Sequence, residues 1–95
     1  MCLISTPLKI FNWSTEKNEW LKENRGISFE EIVFYIAEDN LLLDVVQNSK
    51  YPQQKNFIIQ VDSYAYIVPF VENDEEIFLK TAFPSRKATK YYLNL

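Results

Sequence analysis

The most informative segment of the chain is Gly26-Ile27-Ser28-Phe29-Glu30-Glu31-Ile32, which predicts the beginning of a buried helix. Ser28 and Glu31 have the spacing of a capping box, in which the Ser28 side chain caps the Glu31 amide and the Glu31 side chain reaches back to Ser28. Ile27 and Ile32 have the spacing of a hydrophobic staple across the same turn. The stretch therefore predicts a helix that starts immediately after Ser28.

The predicted helix carries a single apolar stripe. Phe29, Ile32, Val33 and Ile36 recur at positions i, i+3, i+4 and i+7, which places them on one face of an α-helix. We expect this helix to run to about Glu38 and to pack on a sheet through that face.

A more exposed helix is predicted upstream. Ser14 is a suitable N-cap for a helix over residues 15–25, and Gly26, the single glycine of the chain, stands where a helix end favours a left-handed residue. Trp20 and Leu21 are its strong apolar residues, so we expect only a narrow contact with the core. A short strand over residues 9–13 precedes this helix, after a loose leader over residues 1–7.

The rest of the chain reads as consecutive strands. Apolar and alternating segments separated by turn residues predict strands at residues 41–46, 57–61, 64–71 and 76–83. Pro69 predicts an edge or a bulge because proline cannot donate to a ladder. In the last strand we expect one face to carry Ile77, Leu79 and Phe83 and the other to carry Phe78, Lys80 and Ala82.

These elements predict one α+β domain over residues 1–95. Two N-terminal helices are expected on one face of an antiparallel sheet of about four strands, because runs of strands joined by short turns form such sheets. A short C-terminal helix, here called the tail, is expected over residues 85–95, starting at Pro84-Ser85.

Composition excludes several kinds of chemistry. The chain has no histidine, one cysteine and one glycine, so histidine-based catalysis, a thiolate zinc site and a glycine-rich nucleotide loop are all ruled out. We therefore expect neither a metal nor a cofactor. The single cysteine fits a reducing cytoplasm, and the N-terminus lacks the pattern of a signal peptide. Apolar runs too short to span a bilayer predict no membrane partner.

Charge is distributed unevenly along the chain. Residues 79–95 carry a charge of +4 and no acid, whereas residues 1–78 carry −7, which together give the net charge of −3. One interpretation is that the four tail-end cations answer acids elsewhere on the surface. The other is that they form an anion-binding patch on an acidic body. These cations are Lys80, Arg86, Lys87 and Lys90.

A phosphodiester is the anion that this patch suits best. RNA cleavage without a metal needs a base for the 2′-hydroxyl, cations for the charge on the phosphate and an acid for the leaving oxygen. We assign catalytic roles to Lys80, Arg86, Lys90 and Tyr91, with Lys80 or Lys90 as base and Arg86 as phosphate clamp. We assign substrate binding to Lys87 and Tyr92, since Tyr91 or Tyr92 can stack a base or donate a proton.

A purely structural interpretation stays open for the aromatic residues. Tyr91 and Tyr92 would then only dock the tail on the core. Trp13 and Trp20 are interpreted as core residues rather than ligand platforms. The acidic run over residues 72–76 is interpreted as a solvated turn, or else as a surface for a partner.

Three motifs, in this order, resemble those of the BrnT family of bacterial toxins. Residues 11–17, Phe-Asn-Trp-Ser-Thr-Glu-Lys, resemble the family's F-x-W-D-x-x-K segment. Residues 26–31, Gly-Ile-Ser-Phe-Glu-Glu, resemble its H-G-[IV]-S-F-E-E-A segment, the most specific of the three. Residues 85–90, Ser-Arg-Lys-Ala-Thr-Lys, resemble its S-x-R-R-A-T-x-x-E ending.

The resemblance implies a RelE-like fold and a ribonuclease activity that blocks translation. It implies RNA as substrate, a cognate small DNA-binding antitoxin as partner, and a homodimer or a toxin–antitoxin heterotetramer as assembly. By motif, Arg86 and Lys87 match the family's tail arginines, and Lys80 lies on the strand where such toxins place basic residues. The alternative function is a non-catalytic interaction module with the same fold that binds a protein partner.

Overall fold

The computed structural model describes residues 10–37, 41–48 and 50–94. The elements in chain order are β1 (Ile10–Trp13), α1 (Thr15–Asn24), α2 (Phe29–Ala37), β2 (Leu42–Gln47), β3 (Lys55–Val61), β4 (Tyr64–Glu72), β5 (Glu76–Leu79), β6 (Phe83–Pro84) and α3 (Arg86–Ala88), which continues into a π-helical turn (Thr89–Leu93). The α+β class is therefore confirmed. The leader predicted over residues 1–7 lies outside the described residues, as do residues 38–40, where we placed the end of the second helix.

The local signals of the N-terminal half are confirmed. The Ser14 side chain accepts from the Lys17 amide at 3.3 Å and caps α1. The capping box at α2 is reciprocal, with the Glu31 amide 3.1 Å from Ser28 Oγ and the Ser28 amide 3.0 Å from Glu31 Oε1. Gly26 has a φ of +68°, the left-handed conformation that favours glycine.

Asn18 joins the two helices by a contact that the sequence analysis did not foresee. Its Oδ1 accepts from the Phe29 amide at 2.8 Å, and its Nδ2 donates to Glu30 Oε1 at 3.0 Å. The first amides of a helix have no partner within the helix, so Asn18 supplies one from α1. The Asn18 side chain is buried. It therefore fixes how α1 and α2 pack against each other.

The sheet is larger than expected, and it is mixed. Its strand order is β1-β5-β4-β3-β2, and β6 also pairs with β4. The strands β2 to β5 pair antiparallel along the chain, but β1 runs parallel to β5. The prediction of about four antiparallel strands was therefore too simple. The parallel pair joins residues more than 60 positions apart in the chain, and no local pattern reports such a contact.

The predicted last strand is split in two. β5 pairs with Phe70–Glu72 of β4, whereas β6 pairs with Tyr66 and Ile67. Pro69 lies between these two paired stretches, where its carbonyl accepts from the Lys80 amide at 2.8 Å. Proline thus occupies an interruption in the ladder, as its missing amide requires. The interruption also breaks the predicted alternation. Ala82 lies on the side of Leu79, and Phe83 lies opposite Ile67 on the other side, so the prediction was wrong at both residues.

Two apolar clusters lie on the two faces of the sheet. The larger lies beneath α1 and α2, here called the helical layer, and contains Leu21, Phe29 and Ile32 with sheet residues such as Ile59 and Val68. The smaller lies on the opposite side, here called the outer face, where Ile58 and Ala65 pack against Ala88. The tail therefore packs on the face opposite the two N-terminal helices, and the sheet is covered on both sides.

Among the described residues, no helix is both long enough and apolar enough to cross a bilayer.

Candidate nucleic-acid interface on the outer face

The tail is held on the outer face by its own hydroxyl residues. Ser85 caps it by accepting from the Ala88 amide at 3.1 Å, as the sequence predicts. Thr89 then ties it to β4, because Thr89 Oγ1 accepts from the Ala65 amide at 2.8 Å and donates to the Ser85 carbonyl at 2.6 Å. The Ala65 carbonyl also accepts from the Ser85 amide at 2.9 Å, so both polar groups of the Ala65 backbone bond to the tail. Thr89 therefore helps to fix the position of the tail helix on β4.

Tyr92 anchors the far end of the tail to the edge strand β2. Its hydroxyl donates to Asp44 Oδ2 at 2.7 Å. This hydrogen bond, together with burial and the negative charge of Asp44, raises the pKa of the Tyr92 hydroxyl to about 12. The Tyr92 proton is therefore held firmly, and Tyr92 is a poor proton donor to a substrate.

A pocket with a volume of about 260 Å³ opens between the tail and the outer face. Its walls are mainly apolar and come from the side chains Val46, Ile58, Ile67 and Ala88 and the rings of Tyr91 and Tyr92. Its polar residues are Asn56, Ser85 and Lys87. The structure thus brings together three of the predicted site residues, Lys87, Tyr91 and Tyr92, around one cavity.

The other predicted cations lie outside this pocket. Arg86 and Lys90 are exposed on the tail helix and do not line the cavity. Lys80 lies at the end of β5, and its Nζ is 6.0 Å from the ring centroid of Phe78. Leu79 points into the core beneath the helical layer, so its strand neighbour Phe78 points to the outer face. The contact with Phe78 therefore places the Lys80 side chain on the outer face as well. All four cations therefore lie on the same side of the sheet.

The distance between Lys80 and the start of the tail follows from the two residues of β4 to which they are hydrogen-bonded. The Lys80 amide bonds to the Pro69 carbonyl and the Ser85 amide bonds to the Ala65 carbonyl, four residues further along the same strand. At the usual rise of a strand this is roughly 13 Å. Lys80 and Arg86 are thus separated by a span that long side chains and a short extended ligand can bridge.

None of these four cations is neutralised within the described part of the chain. The ion pairs found there, within 4.0 Å, are Lys22 with Glu19 and Lys55 with Glu72, and neither involves the tail. The interpretation that the tail charges are answered by nearby acids therefore finds no support among residues 10–37, 41–48 and 50–94.

The two N-terminal helices differ in charge from the tail helix. The helical layer carries five carboxylates and three cations, namely Glu16, Glu19, Glu23, Glu30 and Glu31 with Lys17, Lys22 and Arg25. The tail helix carries Arg86, Lys87 and Lys90 and no acid. The contrast is between the helices that cover the two faces and not between the whole faces, because Asp44, which accepts from Tyr92, also lies on the outer face.

The two tryptophans, both predicted to be core residues, differ in their burial. Trp13 stacks on Phe29 with ring centroids 5.6 Å apart, so its core role is confirmed. Trp20 is 40% exposed and lies under Lys17 and Arg25, which are 4.4 and 5.1 Å from its ring centroid. The core interpretation of Trp20 was therefore wrong. Its ring lies on the surface, where cation–π contacts hold the two side chains over it.

The pocket walls on the sheet were not predicted from the sequence. Val46, Asn56, Ile58 and Ile67 come from three strands, and only strand pairing brings them together: Val46 lies opposite Asn56, and Ile58 opposite Ile67. One signal was present in the sequence. Phe57, Ile58 and Ile59 are consecutive apolar residues, and a strand of that kind is covered on both faces.

No protein-family model matches the chain, and comparisons with curated proteins and with solved structures find no match either.

Proposed function

We propose that this chain is a metal-independent endoribonuclease that binds single-stranded RNA across the outer face beside the tail. One observation carries the proposal. Four cations, Lys80, Arg86, Lys87 and Lys90, lie on one side of the sheet, and no ion pair within the described part of the chain neutralises them. Lys87 also lines an apolar pocket with two tyrosines. Cations beside aromatic rings are the usual means of binding single-stranded nucleic acid.

The proposed catalytic roles follow from whether each side chain can accept a proton, donate a proton or bind a phosphate. The 2′-oxygen of a ribose attacks the adjacent phosphorus, the bond to the 5′-oxygen breaks, and the products are a 2′,3′-cyclic phosphate and a 5′-hydroxyl end. Lys80 or Lys90 accepts the proton of the 2′-hydroxyl after its own ammonium group has lost a proton to solvent, and Arg86 binds the phosphate oxygens as negative charge gathers there.

Tyr91 is the better of the two tyrosines for the proton that the leaving 5′-oxygen needs. Its side chain is 80% exposed. Its hydroxyl has no hydrogen-bond partner within the described residues, whereas the hydroxyl of Tyr92 is committed to Asp44. Tyr92 is left with a binding role as a wall of the pocket.

The resemblance to BrnT toxins supports a more specific version of this proposal. The chain would be the toxin of a toxin–antitoxin pair, acting in the cytoplasm on translated RNA and held inactive by a small DNA-binding antitoxin, as part of a heterotetramer. Expression without the antitoxin is then expected to arrest growth, and co-expression or Arg86→Ala is expected to relieve the arrest. Harmless expression of the wild-type chain would contradict the toxin role.

Cleavage of single-stranded RNA by the purified protein in chelator tests the enzymatic part. We expect 5′-hydroxyl and cyclic phosphate ends, and a rate lowered about a hundredfold by Lys80→Ala or Arg86→Ala, the usual effect of removing one group that stabilises transition-state charge. Lys22→Ala is the matched control, because it removes one positive charge from the helical layer. Unchanged cleavage in both site variants would remove the site assignment, and no cleavage by the wild type would remove the enzyme.

A second function is favoured by a different observation. The helical layer exposes Phe34, which is 59% accessible, among acidic side chains. Aromatic residues are enriched at the centres of protein interfaces, so a partner surface on this layer would be centred on Phe34. In that case Phe34→Ala would weaken partner binding, and Arg86→Ala would leave it intact.

A further inference from the structure

The polar side chains that line the pocket between the tail and the outer face offer hydrogen-bond donors to a ligand. Asn56 Oδ1 accepts from Asn48 Nδ2 at 3.3 Å, which leaves the Asn56 amide nitrogen as a donor. Ser85 Oγ accepts from the Ala88 amide, so its own proton remains to be donated. Lys87 makes no ion pair within the described residues and can only donate. A ligand with an apolar body and hydrogen-bond acceptors therefore matches this pocket.

We propose that this pocket holds one unstacked base of an RNA strand, with uracil as the best match. A base offers flat apolar faces to the walls formed by Val46, Ile67 and Tyr92, and uracil presents two carbonyl oxygens to the three donors. Cytosine replaces one of those oxygens with an amino group, which would meet a donor instead of an acceptor. This inference rests on the proposed function, since it names the part of the substrate that enters the site.

The size of the cavity agrees with one base. Its volume of about 260 Å³ is enough for one base. Arg86 and Lys90 project from the same helix outside the cavity. A base in the pocket would therefore leave its flanking phosphates beside these cations, where their charges are complementary.

Binding of non-cleavable oligomers tests the inference. The probes are a nine-residue 2′-O-methyl uridine oligomer, the matching cytidine oligomer and a nine-residue abasic oligomer with the same backbone. The wild type is expected to bind the uridine oligomer about tenfold more tightly than the abasic one, which is the effect of one base stacked on aromatic side chains. The cytidine oligomer is expected to fall between them.

Val46→Phe fills the pocket, and its neighbour provides the matched control. Val46 lies opposite Asn56 on the outer face, whereas Val45 lies opposite Phe57 and faces the other way. Val46→Phe is expected to lower the affinity for uridine to that for the abasic oligomer and to leave abasic binding unchanged. Val45→Phe is expected to bind like the wild type.

A second variant tests the inference even if Val46→Phe fails to fold. Asn56→Asp turns the donor that faces the ligand into an acceptor but still accepts from Asn48. It is expected to weaken uridine binding and to abolish the preference over cytidine, with an unchanged melting temperature.

Failure of this inference and failure of the proposed function give different results. If the wild type binds uridine and abasic oligomers equally, the base pocket is refuted and only backbone binding remains. If it binds neither oligomer, the proposed function fails as well. If base identity has no effect but Val46→Phe abolishes binding of a protein partner, the pocket belongs to a partner side chain and the inference is overturned.

Discussion

Replacing Thr89 by valine tests how the tail is held on the sheet. The two side chains have nearly the same shape, so the change removes one oxygen with little change in packing. That oxygen is the acceptor for the Ala65 amide at 2.8 Å, and Ala65 is fully buried. The Ser85 carbonyl, to which Thr89 Oγ1 donates, also accepts from the Thr89 amide at 2.9 Å and keeps that bond. The loss therefore falls on a single backbone donor.

The expected cost follows from that donor. A buried amide left without a partner costs about 1–3 kcal/mol, to be compared with the roughly 5–15 kcal/mol that stabilise a typical domain. For a chain of 95 residues, each kilocalorie corresponds to about 4–8 °C in melting temperature. We therefore expect Thr89→Val to melt between about 5 and 20 °C below the wild type.

Urea and thermal unfolding of Thr89→Val and Thr89→Ser measure this effect. Serine keeps the hydroxyl and loses only a methyl group, so Thr89→Ser is expected to lose less free energy of unfolding than Thr89→Val. If the valine variant proved as stable as the serine variant or the wild type, the Thr89 hydroxyl would not be the anchor of the tail, and the reasoning would be refuted.

Two further changes test the helix pair and the end of the tail. Asn18→Ala removes the acceptor of the Phe29 amide and is expected to cost about 1–3 kcal/mol, whereas Asn24→Ala, an exposed change on the same helix, should stay within about 0.5 kcal/mol in urea unfolding. Tyr92→Phe removes the hydrogen bond to Asp44 and is expected to cost about 1 kcal/mol at neutral pH. Because folding raises the pKa of Tyr92 to about 12, its contribution is complete below the ordinary tyrosine pKa near 10 and is lost as the pH rises through 12. The stability difference between wild type and Tyr92→Phe should therefore narrow between pH 10 and 12, and a constant difference would contradict this account.

The parts of the fold that sequence predicts well are those encoded by neighbouring residues. The caps at Ser14 and Ser28, the left-handed Gly26 and the stripe on α2 each depend on groups within about one helical turn. The parallel pairing of β1 with β5 depends on residues far apart in the chain. The interruption near Lys80 depends on which residues of β4 pair with β6. Such contacts leave no periodic pattern in the sequence.

The candidate site shows the same division. Lys87 and Tyr91 are four residues apart along one helix, a local spacing that places both on one surface, and both line the pocket. The opposite wall, with Val46 and Ile58, could not be placed without knowing that the tail covers the outer face. The consecutive apolar residues of β3 signalled a second covered face, but they did not say which element covers it.

The difference in charge between the helical layer and the tail helix has a consequence for how the molecule would meet the RNA proposed as its substrate. A net charge of −3 suggests repulsion from any polyanion. At short range, however, the three cations of the tail helix attract phosphates and the net negative helical layer repels them, which turns the tail toward a nearby RNA strand. Encounters are thereby pre-oriented, and the association rate should fall steeply as added salt shortens the range of these forces.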